Sequence, residues 1–298
     1  LRQSIGVIMG ANIGTTMTAW LLVLFGFSSF SIGAYAFPIL ALAVPLLFFK
    51  REAIKDIGEF LLGFSLLFLG LETMKETVEG LGLAKNDTFL SVIGYLKEQS
   101  YIGILLLVIV GATTTAIVQS SSAAMALTLS LCGTMGLPFE MAAALVLGEN
   151  IGTTITANLG ALVGNSDAKR AARVHFLFNI IGVFWVLVLF TPFINGISSI
   201  MEYTIWESPL KMASDVSIRY SLSAFHSAFN IVNTILLIGF VNSLERFLTK
   251  WPNQKKDTEG VYTFGYMGSS VMSTAEVSLL IAKKEVSKYV GIIEEQNT

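Results

Sequence analysis

Long apolar stretches dominate this sequence and decide what it can fold into. A helix crosses the hydrocarbon core of a bilayer, about 30 Å thick, with about 20 mostly apolar residues. Stretches of this kind lie at 4–26, 32–49, 58–80, 101–118, 121–136, 139–164, 174–200 and 223–241. Because the backbone must satisfy its own hydrogen bonds in lipid, the sequence predicts an all-α integral membrane protein.

The charge content supports the same class. Charged residues make up 13% of the chain, about half of what a soluble domain carries. The 19 Lys and Arg residues are balanced by 21 Asp and Glu residues, so the basic surface that a nucleic-acid partner needs is missing. The sequence has neither a P-loop nor a His-Glu-x-x-His motif. We therefore expect no enzyme activity and no cofactor.

Basic residues predict how the chain crosses the membrane. Lys and Arg are concentrated in the connections at 50–55, 169–173 and 246–256, whereas 81–100 and 201–222 hold few. Since basic connections stay on the cytoplasmic side, we place the first three in the cytoplasm and the other two outside. The predicted location is the inner cell membrane.

The apolar stretches and the polar composition that follows them divide the chain into three parts. Residues 1–241 are the predicted transmembrane domain. A polar linker at 242–260 and a helical tail at 261–298 follow, both placed in the cytoplasm. The tail has helical apolar spacing over 274–296. The chain begins at Leu1 without a signal-peptide pattern, and we expect that a longer protein has lost its N-terminal part.

One segment occurs twice. Gly10–Ala19 and Gly148–Ala157 are identical at eight of ten positions, 138 residues apart. The predicted orientation makes the first copy run outward and the second copy run inward. Inverted repeats with interrupted helices are typical of secondary transporters, which bind substrate near the midplane. The sequence thus predicts two repeats of inverted topology.

Glycine and threonine inside each copy suggest interrupted helices. Gly14 and Gly152 could end a helix within the membrane, and Thr15 and Thr153 could cap the helix that follows. Backbone N–H groups would then point between the copies. The alternative is close packing of helices through small residues. We favour the interruption because the repeat is inverted and a second polar motif lies nearby.

That second motif is the polar run from Ala112 to Ala123, between two apolar runs. The orientation pattern requires its flanking segments to enter and leave on one side, as a re-entrant hairpin or as two full spans. At the tip, the amide oxygen of Gln119 could bind a cation. Ser120–Ser122 open a helix whose N–H groups and hydroxyls suit an anion. A serine-rich bend that only serves packing is the alternative.

The motif Gln119-Ser120-Ser121-Ser122, followed by Gly-x-Asn-Ile-Gly-Thr-Thr, resembles the sodium/phosphate cotransporter family, which includes bacterial relatives of the type II animal transporters. The resemblance covers residues 4–241. Family members carry two such hairpins and this sequence has the second, so we expect the first upstream of Leu1 and the first repeat to be incomplete. Residues 261–296 resemble the start of a PhoU-like helical domain.

The resemblance implies sodium-coupled import of inorganic phosphate by alternating access around a midplane site. The residues that it implies for phosphate are Asn12, Thr15, Thr16, Ser120, Ser121, Ser122, Asn150, Thr153 and Thr154. Those that it implies for sodium are Thr115, Gln119 and Ser120. The expected partners are phosphate, sodium ions and the lipid bilayer, and we leave open whether the protein forms a homo-oligomer.

The residues favour a coupling cation independently. No Lys or Arg lies deep in a predicted span, and an anion without a counter-charge is costly to bury. Mobile cations must therefore accompany it. Transport of another anion, proton coupling through Glu149, and a membrane sensor acting through the tail remain open alternatives.

Several other polar residues allow two interpretations. Glu149 could bind a cation or proton, or lie at a helix entrance. Glu72 is predicted to lie in an interfacial charged turn. His175 and His226 each begin a His-x-x-Phe-Asn motif, 51 residues apart. For these motifs we favour hydrogen bonds between helices over a ligand role.

Overall fold

The computed structural model describes residues 2–27, 32–82, 85–98, 101–205, 207–211, 214–249 and 283. The chain divides into two units, 1–251 and 252–298. The predicted tail and its PhoU-like resemblance therefore lie outside the described residues, apart from Lys283.

Within these ranges the chain forms eleven α-helices and no strand. They are α1 Arg2–Leu21, α2 Ala36–Leu46, α3 Glu52–Gly80, α4 Asp87–Glu98, α5 Tyr101–Val118, α6 Ser121–Met135, α7 Phe139–Ala161, α8 Ser166–Val188, α9 Phe190–Ile205, α10 Asp215–Ile238 and α11 Val241–Thr249. A π-helical turn, Leu22–Gly26, extends α1, and a 3-10 turn, Ile32–Tyr35, precedes α2.

Five helices are long and apolar enough to cross a membrane: α1 with its π-helical turn, α3, α5, α8 and α10. Their outward faces carry many exposed apolar side chains, such as Val7, Phe60 and Ile235. In water such faces would be unfavourable, whereas lipid accommodates them. The prediction of an all-α membrane protein is confirmed.

The core of the domain lies along α7. Every residue from Met141 to Asn150 is buried, because α5, α6, α8 and α10 all pack around this helix. Glycine lets α5 come close: a Cβ atom on Gly148 would lie 2.0 Å from the carbonyl oxygen of Val108, and one on Gly152 would lie 2.4 Å from that of Ala112. The repeat glycines of α7 therefore serve close helix packing.

The predicted helix interruptions at Gly14 and Gly152 are wrong. Helices α1 and α7 continue through both positions. The hydroxyls of Thr15 and Thr153 do not cap new helices. They donate to the carbonyl oxygens four residues earlier, at 3.0 and 2.9 Å. An unbroken helix is favoured within the membrane because it keeps the regular backbone hydrogen bonds, which lipid cannot replace.

The interruption occurs instead at the tip between α5 and α6, as predicted for the hairpin. Gln119 has a φ of 58°, in the left-handed region, and Ser120 is extended. The hydroxyl oxygen of Ser120 accepts a hydrogen bond from the backbone N–H of Ala123 at 3.2 Å. With 15 residues, α6 is about 22 Å long at 1.5 Å per residue, which is shorter than the bilayer core.

The predicted stretch 174–200 is two helices rather than one. Helix α8 ends at Val188, and Leu189 leaves helical geometry with φ −107° and ψ 27°. Pro192 stands in the first turn of α9 and has no N–H to donate. Its ring would clash with the carbonyl four residues earlier in a continuous helix, so the chain must interrupt α8 here.

Helix α11 occupies the start of the segment predicted as a linker. Its Leu248 is buried in a small apolar cluster with Ile5, Met9, Val174 and Phe178. The packed unit thus extends beyond residue 241. Because α11 is short and polar on one side, its average hydropathy hides the apolar contact that Leu248 makes.

Candidate functional site

A polar cavity of about 120 Å³ lies where the two copies of the repeated segment meet. It is formed by α1, α7, α8, α10 and the first turn of α6. The lining residues are Ile8, Ala11, Asn12, Thr15, Ser121, Glu149, Asn150, Thr153, His175 and His226.

The two copies contribute equivalent positions to this cavity. Asn12 and Thr15 of α1 correspond to Asn150 and Thr153 of α7 at the 138-residue spacing. The repeat predicted that these residues would share one site, and the structure brings all four together. The orientation of the two copies in the membrane remains a prediction.

The asparagines of the two His-x-x-Phe-Asn motifs form hydrogen bonds to the asparagines of the two repeated segments. The side-chain amide of Asn179 donates to Oδ1 of Asn12 at 3.3 Å, and that of Asn230 donates to Oδ1 of Asn150 at 3.4 Å. Helix α8 is thereby tied to α1, and α10 to α7. These are the interhelical hydrogen bonds predicted for the His-x-x-Phe-Asn motifs.

The histidines of those motifs have a different position from their asparagines. The rings of His175 and His226 line the cavity. Nδ1 of His226 is buried and has no hydrogen-bond partner among the described residues. A ring placed in this way can face a ligand directly. The motifs thus combine a structural asparagine with a histidine that lines the site.

The cavity asparagines keep donors available. Nδ2 of Asn12 donates to the carbonyl of Ile8 at 2.9 Å, and Nδ2 of Asn150 donates to that of Val146 at 2.8 Å. A side-chain amide has two N–H donors, so one remains on each asparagine. Chemically, the site can offer neutral donors to an anion from both copies.

Other residues predicted for phosphate do not line this cavity. Thr16 and Thr154 are buried on another face of their helices, where each hydroxyl donates to a carbonyl three residues earlier at 2.7 Å. Ser120 is exposed as the cap of α6, and Ser122 is half-buried. Of the three hairpin serines, only Ser121 lines the cavity.

The residues predicted for sodium meet at the junction of α5 and α6. Gln119 is exposed, and its backbone N–H donates to the carbonyl of Thr115 at 2.8 Å. The Cβ of Thr115 lies close to Gly152, and the buried hydroxyl of Thr115 has no partner among the described residues.

Glu149 is a site residue that the sequence left undecided. It is the eleventh of the 23 residues of α7 and is only 4% exposed. The alternative of a helix entrance is therefore wrong. Its Oε1 accepts a hydrogen bond from the Thr128 hydroxyl at 2.6 Å. Among the described residues that line the cavity, none is Lys or Arg, and Glu149 is the one residue with a carboxyl group.

The sequence also missed the contact made by Arg219. It was assigned to an outer connection, yet it lies in the second turn of α10. Its Nε donates to the carbonyl of Leu129 at 3.1 Å, and the guanidinium stands 4.4 Å from the ring centroid of Phe27. A cation near the C-terminal end of α6 stabilises the helix dipole. An isolated Arg beside an apolar run is the signal that could have indicated this.

An all-α membrane domain with a polar cavity between duplicated helices has the arrangement of a secondary transporter. The sequence model of the Na⁺/Pi-cotransporter family matches residues 1–76 and 77–203. The chain belongs to this family, as its motifs predicted, and the family is one of transporters rather than enzymes.

The chain is also similar to several curated proteins. A protein of Salmonella typhimurium named for inorganic phosphate export, YjbB, is 25% identical over 99% of the chain and 50% of its own length. The Bacillus subtilis protein YqeW is 26% identical over 83% of the chain and 72% of its length. Human sodium-dependent phosphate transport protein 2C is 41% identical over 30% of the chain and 16% of its length.

The chain spans about half the length of the YjbB proteins that it matches. No solved structure matches it.

Proposed function

We propose that this chain forms the core of a sodium-coupled transporter that imports inorganic phosphate by alternating access. The observation that carries the proposal is the cavity lined by both copies of the repeat, in which Asn12, Ser121 and Asn150 offer neutral donors. Phosphate would meet amides and hydroxyls from opposite sides, as expected for a site at a repeat interface.

The N-terminal end of α6 adds a further attraction for an anion. Ser121 is the first residue of this helix, where free backbone N–H groups and the positive end of the helix dipole favour negative charge. Ser121 thus unites a hydroxyl donor with the helix N-terminus inside the cavity. No other hairpin serine is placed to do both.

None of the described residues that line the cavity is Lys or Arg, and this supports cation coupling. A phosphate ion beside Glu149 and without fixed cations would be strongly unfavourable at low dielectric. Sodium at Thr115, Gln119 and Ser120 would compensate that charge. Each ion then lowers the free energy of binding the other, and this reciprocal linkage is coupling.

The direction of transport follows from the sodium gradient. Cells keep sodium low inside, so an obligatory coupled ion draws phosphate inward. The name of YjbB refers to export, and the assay must therefore resolve direction. The test is uptake of labelled phosphate into proteoliposomes containing the full chain, with sodium outside, inside or replaced by choline.

We expect uptake only with an inward sodium gradient. Sulfate and small carboxylates in excess should leave uptake unchanged, whereas arsenate should compete. Equal uptake in choline would refute sodium coupling, and strong competition by sulfate would indicate a different anion as the substrate.

The two neighbouring serines provide a matched pair of variants. Ser121→Ala should raise the KM for phosphate about tenfold, since a hydrogen bond to a charged group contributes roughly 1.5–3 kcal/mol. Ser122→Ala, which removes the same atom one residue away, should change the KM less than twofold. Equal effects of both variants on uptake would contradict the placement of phosphate in this cavity.

The sodium assignment predicts a separable effect at the tip. Gln119→Gly removes the side-chain amide but suits the left-handed backbone, which costs a non-glycine residue about 1 kcal/mol. The variant should remain as stable as the wild type, while the sodium concentration for half-maximal uptake rises about tenfold.

Gln119→Asn is the matched control because asparagine keeps an amide and tolerates this backbone region. It should retain more sodium affinity than Gln119→Gly. Identical sodium titrations for the wild type, Gln119→Gly and Gln119→Asn would show that Gln119 does not bind sodium.

A further inference from the structure

Glu149 separates two cavities. On one side is the polar cavity described above, and on the other is a cavity of about 240 Å³ between α4, α5, α6 and α7. Glu149 lines both. Its carboxyl group is buried at the middle of α7, with a hydrogen bond from Thr128, and it forms no ion pair in the described part of the chain.

The second cavity limits which cation could neutralise this carboxylate. Its wall is almost wholly apolar and includes Phe89, Ile93, Leu107 and Leu131. A metal cation needs several oxygen ligands, whereas a proton needs one. The hydroxyl of Thr128 is the one side-chain group in hydrogen-bond contact with the carboxyl group among the described residues. This environment suits a carboxyl group that binds a proton.

Phosphate in the polar cavity would lie beside this carboxyl group. Two negative charges a few ångströms apart repel strongly in a partly buried site, so an ionised Glu149 opposes phosphate binding. A protonated Glu149 removes the repulsion. Intramembrane carboxyl groups that border a polar cavity commonly act as proton sites.

The repeat makes the proton site asymmetric. Ala11 holds the position equivalent to Glu149 in α1, so the second copy alone carries the carboxyl group. The other titratable groups near it are Cys132 on α6, His175 on α8 and His226 on α10. Helix α1 has none from Gln3 to Leu21, and α5 has only Tyr101, at its start.

We propose that Glu149, positioned by Thr128, binds the proton that must be present when phosphate occupies the polar cavity. This inference rests on the proposed function for its ligand. The carboxylate takes up one H⁺ from hydronium of the solvent before phosphate binds, and it returns that H⁺ to solvent water after phosphate leaves. By reciprocal linkage, phosphate must raise the affinity of Glu149 for the proton.

The test is an infrared pH titration of the purified full chain, which follows the C=O stretch of a protonated carboxyl group. A band present at pH 6 should disappear in Glu149→Gln and persist in Glu140→Gln, a control on the first turn of the same helix. Phosphate should move the titration midpoint upward by about one pH unit, a tenfold change in proton affinity.

Absence of the band at pH 6, or its survival in Glu149→Gln, would overturn the proposal. So would a midpoint that phosphate leaves unchanged in a protein that transports phosphate.

Phosphate uptake provides the second measurement. Between pH 6 and pH 8.5 the KM of the wild type should rise about tenfold more than that of Glu149→Gln, which cannot ionise, whereas Glu140→Gln should follow the wild type. Parallel profiles for all three would overturn the proposal. If no protein takes up phosphate while the Glu149 band titrates normally, the proposed function fails and the proton site stands.

Discussion

Gly148→Val is expected to unfold or misassemble the transmembrane domain, whereas Gly10→Val is expected to have little effect. The two glycines are equivalent in the repeat, but a Cβ on Gly148 would lie 2.0 Å from the Val108 carbonyl oxygen, and a Cβ on Gly10 would meet nothing within 4 Å. The backbone of α5 cannot move aside without losing its packing along the whole of α7.

Overpacking in a well-packed core costs roughly 1–3 kcal/mol or more. For a domain of this size that corresponds to a fall in melting temperature of about 2–12 °C. The measurement is thermal unfolding of the detergent-solubilised chain by fluorescence. Matched melting temperatures for Gly148→Val and Gly10→Val would show that α5 does not rest on Gly148.

Asn150→Asp is expected to abolish phosphate transport. The substitution keeps the size of the side chain but places a second carboxyl group beside Glu149 in a cavity that lacks Lys and Arg. An added negative charge a few ångströms from the anion costs several kcal/mol at the effective dielectric of such sites. That is a loss of at least 100-fold in kcat/KM, and it should deepen as the pH rises.

Asn158→Asp is the matched control on the same helix. Asn158 lies outside the cavity, where its amide donates to the carbonyl of Thr154 at 2.8 Å, so its replacement should lower kcat/KM much less. Uptake would be measured over pH 6 to 8.5 in both variants. Near-normal transport by Asn150→Asp would place the substrate elsewhere.

Much of the architecture could be read from local pattern. The apolar stretches predicted membrane helices because the bilayer imposes a length that a sequence must match. The polar run around Gln119 predicted the hairpin tip, since its hydroxyls and amide cannot lie in a lipid-facing helix. The repeat itself predicted that Asn12 and Asn150 would lie at one site, and both line the polar cavity.

Other features required the packed structure. Glycine and threonine in the repeat suggested interrupted helices, yet Gly152 allows α5 to approach and Thr153 bonds within its own helix. Glycine in a membrane helix can either interrupt that helix or let another helix approach closely. Only the position of the neighbouring helix shows which of the two applies. Likewise, Pro192 does not reveal by itself whether a long apolar stretch bends or divides.

The sequence by itself determined the class of protein, the duplicated unit and the residues from which a site could be assembled, because these depend on composition, length and repetition. Tertiary structure decided which of those residues meet. Ser121 and Ser122 are identical in chemistry, and Gly10 and Gly148 hold equivalent positions in the repeat. The two members of each pair nevertheless differ, because different residues lie next to them in the folded structure. Contacts between distant helices determine burial and access, and no local pattern records them.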